Sequence, residues 1–155
     1  IGALVCKNQS VKESVMKFCQ ARLSPPLIGQ VIAEASIDTP AEYMQEMYNE
    51  YLERRNYLIE GLNKIPGVYS AVPMGAFYTV ARLPIDDSDK FCAWLLSEFE
   101  YEKQTVMMAP ASGFYTMKNV GCNEVRLAYV LNKEDLEKAL FILKKALEVY
   151  PGRTK

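Results

Sequence analysis

An arginine stands in the middle of an apolar strand pattern towards the end of this chain. In Val120-Gly121-Cys122-Asn123-Glu124-Val125-Arg126-Leu127-Ala128-Tyr129-Val130-Leu131-Asn132, a turn leads into a short strand and a helix start follows. Strand alternation puts Val125, Leu127 and Tyr129 on one face and Glu124, Arg126, Ala128 and Val130 on the other. A guanidinium in such company costs free energy unless something pairs with it. One reading is structural: a salt bridge, or a side chain that reaches out to water. The other is a carboxylate receptor, because the rigid fork of Arg meets a carboxylate with two parallel hydrogen bonds.

The sequence contains no histidine, which removes Ser-His and Cys-His nucleophile pairs, histidine bases and most zinc sites. Any chemistry must use Lys, Tyr, Arg, carboxylates or a cofactor. Lys7 offers an amine for imine formation, but the polar Asn8-Gln9 beside it reads as surface. Tyr78 suits a pocket wall or a half-buried strand position. Ser112-Gly113 permits either close approach of a ligand or an ordinary loop. Asp86-Asp87 is accounted for by helix capping rather than by a cation. Cys6, Cys19, Cys92 and Cys122 form no CxxC pair. Three of the four lie among apolar residues of expected elements, which predicts buried free thiols and a cytoplasmic location.

With 155 residues, half of them apolar and 24% charged, the composition is globular and supports one core, or one domain with part of another. The net charge is -1 and the basic residues are scattered, so the chain has no electrostatic footprint for nucleic acid or an acidic membrane. No apolar run is long enough to span a bilayer and no signal-peptide pattern is present. The first residue is Ile1, inside an apolar run, which predicts a piece of a longer protein.

The elements that must position Arg126 can be read in order. Residues 1–6 predict a buried strand. Ser10 caps a helix, with Glu13 completing a capping box, until Ser24-Pro25-Pro26 breaks it; residues 27–36 resume helical spacing. Thr39-Pro40-Ala41-Glu42 opens the longest helix, whose Tyr and Met residues read as packing and which Pro66-Gly67 ends. Residues 68–72 and 75–81 predict a hairpin turning at Pro73-Met74. Asp86, Asp87 or Ser88 caps a helix with Phe91, Trp94, Leu95 and Phe99 inward. Residues 105–109 form another strand, then comes the strand of Arg126, and Asn132 caps the last helix. The fold class is α/β in the α+β two-layer sense: a small, mostly antiparallel sheet covered by helices. Residues 39–155 make one compact domain; residues 1–38 are an edge piece that requires more protein on its other side.

The loop Ala109-Pro110-Ala111-Ser112-Gly113-Phe114-Tyr115, followed by Asn123-Glu124-Val125-Arg126-Leu127-Ala128-Tyr129, resembles the C-terminal part of the fold-type I pyridoxal-phosphate aminotransferases. This is the class I/II family that includes aspartate aminotransferase. There a Pro-x-x-x-Phe loop precedes a strand whose arginine holds the substrate's α-carboxylate. Pro73-Met74-Gly75-Ala76-Phe77-Tyr78 is similar to the family's P-x-G-A-F-Y, and Gln30-Val31-Ile32-Ala33-Glu34-Ala35 to its Q-x-A region. Ile1-Gly2 resembles the residues that follow the family's phosphate-binding arginine. The resemblance implies that Arg126 binds the substrate carboxylate. The Schiff-base lysine belongs about ten residues before Ile1 and the phosphate-binding arginine directly before it, so Lys7 does not inherit the lysine's role.

What the resemblance implies is therefore the C-terminal portion of an aminotransferase, inactive alone. Residues 1–38 would close the large cofactor-binding domain and residues 39–155 would be the small domain. The parent would be a homodimer that moves an amino group, by way of pyridoxal phosphate, from an amino acid to a 2-oxo acid, with aspartate the first candidate. Two alternatives remain. One is a lyase or decarboxylase with the same fold and cofactor; the other is a non-catalytic α/β module that binds an acidic ligand.

Overall fold

The computed structural model describes residues 1–154. In chain order the elements are α1 (Gln9–Arg22), α2 (Leu27–Ala35), α3 (Ala41–Asn63), β1 (Tyr69–Ser70), β2 (Tyr78–Arg82), α4 (Ser88–Ser97), β3 (Ala109–Pro110), a 3-10 turn (Ser112–Phe114), β4 (Glu124–Ala128) and α5 (Lys133–Val149). The strands form one antiparallel sheet in the order β1-β2-β4-β3. This is the α+β arrangement that the alternation of patterns predicts. The chain divides into two compact units, Ile1–Glu46 and Met47–Lys155.

In the second unit the core lies on one face of the sheet. β2 buries Thr79 and Ala81, β4 buries Val125, and Tyr129 follows it inward. Against them pack Leu58 and Leu62 of α3, Phe91 and Leu95 of α4, and Leu136, Leu143 and Leu147 of α5. α3 and α5 meet at Gly61, where a Cβ would overlap Leu140 Cδ1, so a larger residue there would require that side chain to shift. The caps are local chemistry: the Asp87 side chain accepts from Lys90 N–H at 3.0 Å, and that of Asn132 from Asp135 N–H at 2.8 Å. Two buried hydroxyls, Ser70 and Thr79, bond one another at 2.9 Å. No buried side-chain polar atom among the described residues lacks a partner.

Several sequence expectations change here. The strand expected over 68–72 contracts to Tyr69–Ser70, and in place of the one expected over 105–109 only Ala109–Pro110 pairs. Pro110 has no N–H to give a ladder and is tolerated in β3 because that strand is at the sheet's edge. Residues 1–6 form no strand, since the first unit contains no other strand to pair with them. α1 is capped by Asn8, whose side chain accepts from Val11 N–H at 3.2 Å; Ser10 lies within the helix. Neither α1 nor α2 buries a side chain. Cys19, on α1, is therefore exposed; Cys6 and Cys122 are half-buried and Cys92 alone of the four thiols is buried. The stripe on α3 packs only towards its C-terminal end, and Tyr43, Met44 and Tyr48 are exposed. No helix is long and apolar enough to cross a membrane among the described residues.

Candidate functional site

β4 turns Val125 and Leu127 to the helices and Arg126 to the open face of the sheet. The cross-strand neighbours of Arg126 are small: Val80 on β2 and Ala109 on β3. Its guanidinium carbon lies 5.3 Å from the centroid of the Tyr78 ring and 5.2 Å from that of Phe114. Two aromatic faces thus hold the cation through their quadrupoles, without using its N–H donors. No carboxylate among the described residues lies within ion-pair distance of it. The salt-bridge reading of this strand arginine is not realised; the side chain is exposed, flanked and available.

The loop that brings Phe114 over Arg126 is tied at both ends. Ala111 N–H donates to Glu124 C=O at 2.9 Å, and the Ser112 hydroxyl donates to Asp89 Oδ2 on α4 at 2.5 Å. The Tyr115 hydroxyl donates to Glu124 Oε2 at 2.5 Å, and that bond holds the phenol's pKa above its ordinary value, with lesser contributions from burial and from the Glu124 charge. The Tyr115 ring rests on Gly121, where a Cβ would collide with it and where φ is +72°. On the other flank, the Tyr129 hydroxyl donates to Ala76 C=O at 2.9 Å and Arg55 Nη1 to Pro73 C=O at 3.1 Å, fixing the turn that precedes Tyr78.

The remaining candidates are not gathered at this site. Asp87 caps α4 and Asp86 accepts from the Tyr150 hydroxyl at 3.0 Å, so both carboxylates are engaged within the fold. Lys7 is exposed and lies in the first unit. Tyr78 proves to be a flank of Arg126 rather than a half-buried packing residue. Phe114 and Tyr115 stood in the loop pattern, yet nothing in the sequence assigned them a contact; the adjacent aromatics two residues after a Ser hydroxyl were the available signal.

The sequence model of the family of class I and II aminotransferases matches residues 1–143. This chain belongs to the class I and II aminotransferase family. The aspartate aminotransferase of Pyrococcus horikoshii is 31% identical over 158 residues, covering 96% of this chain and 37% of the relative. Among solved structures, the alanine aminotransferase of Pyrococcus furiosus superposes with a TM-score of 0.71 at 27% identity, covering 90% of this chain and 35% of that one. An α-aminoadipate aminotransferase from Thermus thermophilus, complexed with N-(5'-phosphopyridoxyl)-L-leucine, shares the fold at a TM-score of 0.73 and 21% identity, covering 90% of this chain and 36% of that one. The chain thus spans little more than a third of the proteins it matches.

Pyridoxal phosphate is the cofactor of this family. The donor set among the described residues does not fit it. An imine-forming amine is activated by desolvation, whereas every lysine among the described residues is exposed except the half-buried Lys145, which is ion-paired with Glu148 at 2.9 Å. What these residues do offer is the fork of Arg126.

Proposed function

We propose that this chain is the carboxylate-binding portion of a pyridoxal-phosphate-dependent aminotransferase. The reaction moves an amino group from an amino acid to a 2-oxo acid, and aspartate is the first candidate substrate because the Pyrococcus horikoshii relative above carries that name. One observation carries the reading: Arg126 is exposed between two aromatic rings with no carboxylate of the described residues on it. A substrate α-carboxylate would meet two parallel N–H donors there. Its remaining bonds would then point in a defined direction, which lowers the entropic part of the barrier for whatever group removes the Cα proton.

In this reading residues 1–38 close the large cofactor-binding domain and residues 39–155 form the small domain. Support comes from the share of the relatives' length that the chain spans and from the unburied sides of α1 and α2. The cofactor would be held by parts of the parent other than those described. The parent would be a cytoplasmic homodimer; four free cysteines agree with a reducing compartment, and the dimer follows from the family resemblance.

The test is Arg126→Lys in the full-length enzyme. A point charge cannot replace the planar fork, so kcat/KM should fall about tenfold or more. Unchanged catalytic efficiency would remove Arg126 from the role.

A further inference from the structure

Glu124 has the same open face of β4 as Arg126 and stands two residues before it. An acid so placed is a competitor for the guanidinium: folded onto the fork, it would occupy the donors that a substrate carboxylate needs. It is not folded onto the fork. Its Oε2 accepts the Tyr115 hydroxyl at 2.5 Å, a charge-assisted bond of the strong class. Tyr115 is itself held in place, its ring seated on the bare Cα of Gly121. Glu124 N–H donates to Gly121 C=O at 3.0 Å, so seat and acid belong to one turn. Arg82, directly opposite Glu124 on β2, lies over the Tyr69 ring at 5.6 Å and makes no ion pair with it.

We propose that Tyr115 is a positioning residue that sequesters Glu124, so that the fork of Arg126 stays open to the substrate carboxylate. The inference rests on the reading of Arg126 given above. Its physical content is competition. An exposed Arg–Glu pair is weak, yet such a pair would lower the occupancy of Arg126 by substrate about threefold to fivefold.

Steady-state kinetics of the full-length enzyme test it, with Tyr115→Phe, the double variant Tyr115→Phe/Glu124→Gln, and Arg126→Lys measured beside the parent. Tyr115→Phe should raise KM for both the amino acid and the 2-oxo acid about threefold to fivefold, with kcat within about twofold. The double variant should return KM to the parental value, because the freed competitor has lost its charge. A tyrosine that merely anchors the Phe114 loop would not be rescued in this way, since the anchor is missing in both variants. An unmoved KM in Tyr115→Phe, as when the freed acid turns to Arg82, overturns the proposal, and so does a double variant that stays impaired. If Arg126→Lys matches the parent, the carboxylate reading itself has failed. If Arg126→Lys is impaired while Tyr115→Phe is not, only the sequestration falls.

Discussion

Arg126 can serve a ligand only while the protein leaves its donors unspent, and the rings around it do not spend them. Tyr78 and Phe114 stabilise the cation through ring faces, which satisfy charge without consuming N–H groups. Gly121 is the least replaceable neighbour. Its φ of +72° is left-handed, and any Cβ there would meet the Tyr115 ring. Gly121→Ala should cost about 1–2 kcal/mol from the backbone conformation alone, read as a lower urea midpoint at unchanged slope. It should also displace Tyr115 from Glu124. A variant as stable as the parent would show that the turn relaxes freely.

At the scale of elements, α4 and the segment after α5 share the aromatic cluster of Phe91, Trp94 and Tyr150. Two groups in it titrate late. Burial, with Asp89 nearby, pushes the Cys92 thiol up to about 11 from an ordinary 9.0. Burial, reinforced by the bond to Asp86, pushes the Tyr150 phenol up to about 12 from 10.0. In each case the folded value exceeds the unfolded one, so the folded state binds more protons between them. Stability from these groups is therefore complete below pH about 9 and is lost as pH rises towards 12. Urea midpoints should be flat from pH ~7 to about 9 and then fall. Cys92→Ala/Tyr150→Phe should flatten that fall; an identical alkaline limb would assign it elsewhere, for instance to the ion-paired lysines Lys133 and Lys145.

For the whole molecule, the contrast is between a unit with a core and a unit without one. Leu62, Ala81, Phe91, Leu95, Val125 and Ala146 are fully enclosed, whereas α1 and α2 bury no side chain and leave Phe18, Leu27 and Ile28 about three-quarters exposed. Helices of 14 and 9 residues without packing are marginal in water. Amides of α1 and α2 in a monomeric sample should thus exchange orders of magnitude faster than those of α5. Equal protection across the three helices would show that the first unit is stabilised by something other than side-chain burial.

Local chemistry was readable from the sequence because it needs only neighbours. The cap at Asn132, the cap of α4 to within Asp86, Asp87 or Ser88, the identity of α3, α4 and α5, the two faces of β4 and the placing of Arg126 among apolar residues all depend on spacing over a few residues. So did the likeness to the class I and II aminotransferases, which is carried by stretches in a set order. At the start of α1 the local pattern misled: Ser10 with Glu13 reads as a capping box, yet Asn8 takes the cap. The strand ends were not readable, because a ladder stops where its partner stops. Residues 1–6 have strand character without a partner, so they form no strand. Above all, what surrounds Arg126 was decided in three dimensions. Tyr78 is distant in sequence and arrives only because β2 pairs with β4. Phe114 arrives because a tethered loop folds over β4, and Glu124 is engaged by Tyr115 rather than by the arginine two residues on. Charge and shape made Arg126 a candidate; the sheet register and the loop left its fork open.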